Sequence, residues 1–495
     1  MSTLNMKIYF SKLLAVSAFF AIVTTARAQQ NNTLYFLNGV PQSQEMNPAT
    51  PLKCGFYIGL PVISSMEFNI GNNALSFSDV LPFKDDSLRT FLYSEETQNN
   101  FLDKLKNDGI IFANSRIDLF SLGFKTGKNF LSFKIAERLD ADVRIPYGLA
   151  DFFINGNISS IDQNAPAKTF DLSSLGGNLN YYHEISVGIS HEFSSKLVIA
   201  IRPKMLVGIA NVNTKSSKMY LKETSRDQWT VENHIKVNTS VPFLKVGNGQ
   251  TGQTYSIDSI DRDSDIETSE IISNLTSMKN MGWAADFGAY YRLSPTVNLS
   301  ASILDLGYIR WKNNLNQLNF NNDYAFQGVK FTYSDEEVDF GSELNDTLKN
   351  MFKFTNEHSA YTTFLNPKMY LAANYQPLKA IGFGALTRLE LKDKRIDPQF
   401  TGSFLFTPFN WFNLALSYTI ADKVYDNFGF GWVIKPGPFQ FYTMFERIPS
   451  IYNKDKSNLY VPVYAKSFNV HFGINLVFGY NRDKKLLKDK PLVEE

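Results

Sequence analysis

The stretch SFNVHFGINLVFGY, residues 467–480, puts an apolar residue at every second position: Phe468, Val470, Phe472, Ile474, Leu476, Phe478 and Tyr480. Between them stand Asn469, His471, Gly473, Asn475, Val477 and Gly479, mostly small or polar. Side chains alternate between the two faces of a strand, so this segment is a strand with one apolar face. It is about twice as long as the five or six residues usual in a globular protein. A tilted strand of about 9–11 residues is what a bilayer requires.

The pattern recurs. CGFYIGLPV aligns Cys54, Phe56, Ile58 and Leu60 on one face. FSLGFKTGKNFLSFKIAER aligns Phe120, Leu122 and Phe124, turns at Thr126–Asn129, and aligns Leu131, Phe133 and Ile135. Strand, short glycine-containing turn, strand is a hairpin signal. Further hairpins turn at Ser194–Ser195, Ser294–Pro295, Pro377, Pro408 and Pro436–Gly437, and longer polar segments join one hairpin to the next. Short turns on one side and long loops on the other mark a transmembrane barrel. The fold class expected is all-β, a transmembrane antiparallel β-barrel of about 14 strands. The number becomes 16 if segments near Phe68–Phe77 or Ile235–Val241 also cross. Two short helices are expected in the connectors, at 95–107 and 342–354. Phe and Tyr number 42 and 24 while mean hydropathy is only −0.20, which suits a chain that wears its aromatics outside and keeps polar groups within.

The chain divides into four parts. Residues 1–28 read as a signal peptide: Lys7 and Lys12, the apolar LLAVSAFFAIV, and Ala26-Arg27-Ala28 before Gln29. The protein is therefore expected to be exported, cleaved after Ala28 and placed in the outer membrane. Residues 29–52 hold Leu34, Tyr35, Phe36, Leu37 and Val40, too apolar for a free tail, but Gly39, Pro41, Pro48 and Pro51 break any strand. Irregular backbone is tolerated at membrane depth only inside protein or water. This segment is expected to fold back into the barrel as a hatch, with Asn47-Pro48-Ala49 as a compact turn against inward glycines. Residues 53–480 form the barrel and 481–495 a charged periplasmic tail.

No catalytic or metal pattern emerges. The five histidines, His183, His191, His234, His358 and His471, lack ligand spacing, and no G-x-S-x-G elbow is present. Asp261, Asp263 and Asp265 have the spacing of a calcium loop, but Ile266 replaces its glycine. The chain reads as a non-enzyme with no cofactor and no metal, and the formal charge of +1 gives no reason to expect nucleic acid. Cys54 shares the parity of Phe56 and reads as a lipid-facing apolar residue. Opposite the apolar face lie glycines, among them Gly288, Gly384, Gly402, Gly431 and Gly473, and the charges Lys134, Arg138, Glu184, Arg202, Lys204, Asp286 and Arg388. Charge on that face requires water or mutual pairing. These seven residues are the lumen candidates, as a salt-bridge network or a solute path.

LYFLNGVPQSQEMNPATPLKCGFYIGLP and DFGAYYRLSPTVNLSASILDLGYIRW resemble an uncharacterised family of Bacteroidota outer-membrane barrels, with Asn47-Pro48-Ala49, Asp305-Leu306-Gly307 and Trp311 carrying the likeness. More distantly the chain is similar to the long-chain fatty-acid transporter group and to PorV-type barrels. The resemblance implies fourteen strands and an N-terminal hatch. It leaves two functions open: passive transport of a hydrophobic small molecule through a plugged barrel, or a structural barrel serving secretion or motility machinery. The partners expected are outer-membrane lipid and either that solute or proteins of such machinery.

Overall fold

In the computed structural model the chain forms a closed antiparallel barrel of 14 strands. The structure describes residues 32–37, 39–84, 87–155, 167–225, 228–247, 250–262, 267–326, 349, 351–392, 395–421, 424–447, 452–454, 460–462 and 466–479. The signal peptide, the cleavage site, the tail, Asp263, Asp265 and most of the helix expected at 342–354 lie outside these residues.

The first strand, β1, comes in two halves, Phe56–Gly59 and Met66–Asn72. Then follow β2 (Gly109–Thr126), β3 (Asn129–Ile145), β4 (Gly176–Glu192), β5 (Leu197–Ser225), β6 (Met281–Arg292) and β7 (Val297–Trp311). The remainder are β8 (Lys368–Leu378), β9 (Ile381–Lys392), β10 (Arg395–Phe409), β11 (Phe412–Ala421), β12 (Val424–Ile434), β13 (Phe439–Glu446) and β14 (Ser467–Phe478). Each strand pairs with its successor, and both halves of β1 pair with β14 and β2, which closes the ring. Closure removes free strand edges, so each strand of the wall has a neighbour on both sides.

The alternation in SFNVHFGINLVF carries through: Phe468, Phe472 and Phe478 are exposed, while Asn469, His471, Gly473 and Asn475 are buried inside. The two extra crossings do not occur. Met66–Asn72 continues β1, and Gln228–Ser240 pairs with the far half of the 29-residue β5, in a sheet extended by Leu315–Phe326. That extension has its own apolar core of Phe170, Leu172, Met219, Leu221, Trp229, Val231 and Ile235. The helix expected at 95–107 is α1, Glu95–Leu105, and further helices are α2, Tyr147–Asn155, and α3, Thr268–Leu275. Not every connection at the long-loop end is long: Lys392 pairs with Arg395 and Ala421 with Val424. Cys54 is not lipid-facing. It precedes the first strand, so alternation does not govern it, and it packs with Tyr57, Phe130 and Val477. Burial pushes its thiol up to about 11.

The interruption of β1 is the main irregularity of the wall. Residues 60–65 stand opposite only Gly473 and Ile474 on β14, because Gly59 pairs with Asn475 and Met66 with Phe472. The excess chain bends both ways. Pro61, Val62 and Ile63 are exposed on the outside, and Ser64 and Ser65 are fully buried within. Gly473 permits this, since a methyl group there would lie 2.0 Å from the Ser64 carbonyl oxygen.

The wall assignment predicts a parity test. Replacing outward Phe472 by Arg should lower the fraction of protein that assembles and migrates as a heat-modifiable band, because a cation at the midplane costs about 2–4 kcal/mol. Phe472→Leu should assemble normally. Equal assembly of the two variants would mean that this face does not meet lipid. Asn475, which sequence parity alone marks as tolerant of Arg, is enclosed and bonded to Gln42 and Gln440, so Asn475→Arg should also impair assembly.

Candidate functional site: the occupied lumen

The segment Asn32–Thr50 is buried along its described length and makes its contacts with inward-facing wall residues. It consists of two short 3-10 helices, Asn32–Phe36 and Pro41–Glu45, followed by the Asn47-Pro48-Ala49 turn. Prolines and a glycine keep it irregular, so its polar backbone groups need partners from the wall.

The lumen has two unlike halves. Along β7 to β13 the segment's Leu34, Tyr35, Phe36, Leu37, Val40 and Met46 pack against Leu304, Tyr370, Ala372, Leu386, Ala415, Val433, Tyr442 and Met444. Small wall residues make room: a methyl group on Gly384 would lie 2.2 Å from the Phe36 ring. At the turn, Asn47 Nδ2 donates to the carbonyls of Ala289 and Ala301 at 3.1 and 3.3 Å, and its Oδ1 accepts from Ala49 N at 2.9 Å. The turn sits against Gly288, where a methyl group would come within 2.3 Å of Asn47 Oδ1.

The other half is charged. Glu45 accepts from Lys134 Nζ at 2.9 Å and pairs with Arg116 Nη1 at 3.1 Å. Arg202 donates to the carbonyls of Gln44 and Glu45 and pairs with Asp286. Arg138 pairs with Glu184, and Lys204 lies within 3.5 Å of Glu184, Asp286 and Asp305. Lys368 adds a second cation to Asp305 at 3.0 Å. Of the seven charges read from sequence, six (Lys134, Arg138, Glu184, Arg202, Lys204 and Asp286) fall into this one network. Arg388 stands apart, paired with Glu390 and Tyr370.

Sequence parity missed Arg116, Asp118 and Asp305 for a definite reason. A bulge at Leu119 breaks the β2–β3 register, so Arg116 and Asp118 point inward although they share the parity of outward Phe120. Asp286 faces both Leu304 and Asp305, and its carboxylate accepts from Asp305 N at 2.8 Å. That bulge turns Asp305 inward although it shares the parity of Ile303. Glu45 was missed because no periodicity governs the N-terminal segment. Gly402 departs in the other direction: it pairs with outward Ala385 and faces out.

The interruption of β1 joins this assembly. Gln42 Nε2 donates to the Ser64 carbonyl at 3.1 Å and to Asn475 Oδ1 at 3.0 Å, and Asn475 Nδ2 returns a bond to Gln42 Oε1 at 2.8 Å. The Tyr442 hydroxyl donates to the same Ser64 carbonyl at 2.9 Å. Ser65 Oγ and His471 Nε2 lie 2.8 Å apart, a pairing across the β1–β14 seam that sequence spacing hides, but both side chains are fully enclosed. Among the described residues no cluster of three or more His, Cys, Asp or Glu could hold a metal ion. The arrangement can hold a segment in a barrel and fill the space around it.

No curated protein matches the chain in sequence. In overall shape it is similar to the Ralstonia pickettii toluene transporter TbuX, with a TM-score of 0.41 and 8% identity over 93% of this chain and 100% of that one. A Pseudomonas aeruginosa FadL homologue gives a TM-score of 0.38 and 9% identity over 93% and 98%. The Pseudomonas putida toluene transporter TodX gives 0.34 and 7% over 92% and 94%. A family profile matches residues 48–446, from the Asn47-Pro48-Ala49 turn to the end of β13. The chain belongs to DUF5723, a family of unknown function.

Proposed function

We propose that the protein is an exported outer-membrane barrel that passes a hydrophobic small molecule passively. In this reading residues 29–52 act as a movable plug, and the interruption of β1 is the exit to lipid. The observation that carries it is the double role of Gln42, which bonds both the innermost carbonyl of the interruption and Asn475 on β14. A shift of the plug would release both contacts at once and loosen the wall where pairing is already incomplete. On the outside the same place presents Pro61, Val62 and Ile63, an apolar threshold suited to a solute that leaves sideways.

With the lumen filled, conduction requires the plug to move. Charge-assisted bonds are roughly twice as strong as neutral ones, which makes the Glu45 pairs with Arg116 and Lys134 the main polar hold on the segment. A second reading, a structural barrel that serves secretion or motility machinery, is favoured by the sheet of β5 that runs beyond the barrel wall, a platform for a partner.

Two experiments test the first reading. Deleting Gln29–Gln44 while keeping residues 1–28 should produce steady conductance in planar bilayers, whereas the intact chain should stay closed. A correctly assembled deletion variant with unchanged conductance would remove the plug. Glu45→Ala strands Arg116 and Lys134 without their partner, and breaking a buried pair from one side costs about 3–5 kcal/mol. The temperature at which the heat-modifiable band converts should fall, and brief openings should appear. A variant as heat-stable and as silent as the parent would show that Glu45 holds nothing in place.

A further inference from the structure

Strand register stacks the outward residues of β6 and β7 into rows near the long-loop end. Trp283 pairs with Tyr308, and Tyr308 pairs with Phe364 on the short strand Tyr361–Phe364. The three rings are 56, 42 and 76% exposed, so one unbroken aromatic row faces outward across three strands. The next outward row is Met281, Arg310 and Thr362. Beyond it stand Lys279 and Lys312, both exposed, with Lys312 N donating to the side chain of Asn280 at 2.8 Å. Aromatics are thus followed directly by three cations.

Depth gives these rows a meaning. At the other end of the same strands, Tyr291 pairs with Leu299 and Tyr375 with Val297, forming the inner aromatic level. Leu299 and Tyr308 are nine positions apart. At about 3.3 Å per residue and a tilt of about 40°, that spans roughly 23 Å, close to the ~25 Å apolar band of an outer-membrane barrel. The upper row therefore lies at the headgroup level of the outer leaflet, and Lys279, Arg310 and Lys312 lie just outside it.

These cations are available. Arg310 Nη1 donates to the Thr362 hydroxyl at 3.0 Å, which orients the guanidinium, and none of the three makes an ion pair among the described residues. They are also local. At the same end of several other strands the exposed outward residues are uncharged, among them Ile70, Val143, Leu391, Ile396 and Ile420, while on β3 and β4 outward Glu137 stands 3.8 Å from His183. Helix α3 borders the patch: His183 on the outer face of β4 bonds the Leu275 carbonyl, and Ile272 and Met278 are exposed beside it.

We propose that this patch binds the net-anionic phosphate headgroup of an outer-leaflet lipid. Arg310, Lys279 and Lys312 take the phosphate, and the acyl chains lie along Trp283, Tyr308 and Phe364. Guanidinium and ammonium groups match a phosphate in charge and hydrogen-bond geometry, and apolar surface directly below them takes the tail. A soluble anion would gain nothing from the aromatic row, which is why the occupant is an amphiphile. The proposal depends on bilayer placement and is independent of the transport reading.

Native mass spectrometry of the detergent-purified full chain, titrated with phosphatidic acid or with phosphatidylcholine of the same chains, tests it. The parent should retain phosphatidic acid at least tenfold more tightly. K279Q/R310Q/K312Q should lose that preference while keeping heat-modifiable mobility. The milder K279Q/K312Q, with Arg310 intact, should lose about threefold and guards against a folding defect in the triple variant. Equal retention of the two lipids by the parent, or an undiminished preference in both variants, would overturn the assignment.

Discussion

A ring of fourteen strands encloses more space than its inward side chains can fill, unlike an eight-stranded barrel, whose side chains meet at the axis. That surplus is the constraint from which the rest of the structure follows. Left open it would be a water channel. Here it is occupied by the buried segment Asn32–Thr50, and the inward face of the wall is shaped to match: small residues where the segment is bulky, cations where it carries Glu45.

The two halves of the lumen contribute differently. Burying a Leu or Phe side chain is worth about 1.5–3 kcal/mol, so the apolar half supplies most of the binding energy of the segment. Buried ion pairs come close to breaking even against their desolvation, so the charged half adds little net stability. What it fixes is register. Glu45 fits where Arg116 and Lys134 converge, and Arg202 reads the carbonyls on either side of that position. A shift of one residue would leave those cations facing Gln44 or Met46.

Much of the wall was legible in the sequence because alternation is a period-two signal that survives wherever pairing is regular. Phe468 to Phe478 and the hairpin turns at Thr126–Asn129 and Ser294–Pro295 are of this kind. The reading failed wherever an extra residue enters the ladder. The bulges at Leu119 and at Leu304–Asp305 invert parity beyond them, which hid Arg116, Asp118 and Asp305, three members of the charged network. The same limit applies to Cys54, outside the first strand, and to Gln228–Ser240, which alternates like a crossing strand but pairs above the barrel. The pairing of Gln42 with Asn475 links positions more than four hundred residues apart, and no local pattern encodes it.

The N-terminal segment is held by enclosure and by hydrogen bonds to the wall. Hydrogen exchange of the assembled protein in detergent, followed by mass spectrometry, addresses this directly. Amides of residues 32–50 should exchange as slowly as those of β11 and β12, over hours, since Thr33 N donates to the buried Glu446 carboxylate and others, such as those of Leu37, Ser43 and Thr50, bond to carbonyls within the enclosed segment. Complete exchange of that segment within seconds, beside protected strands, would contradict the account.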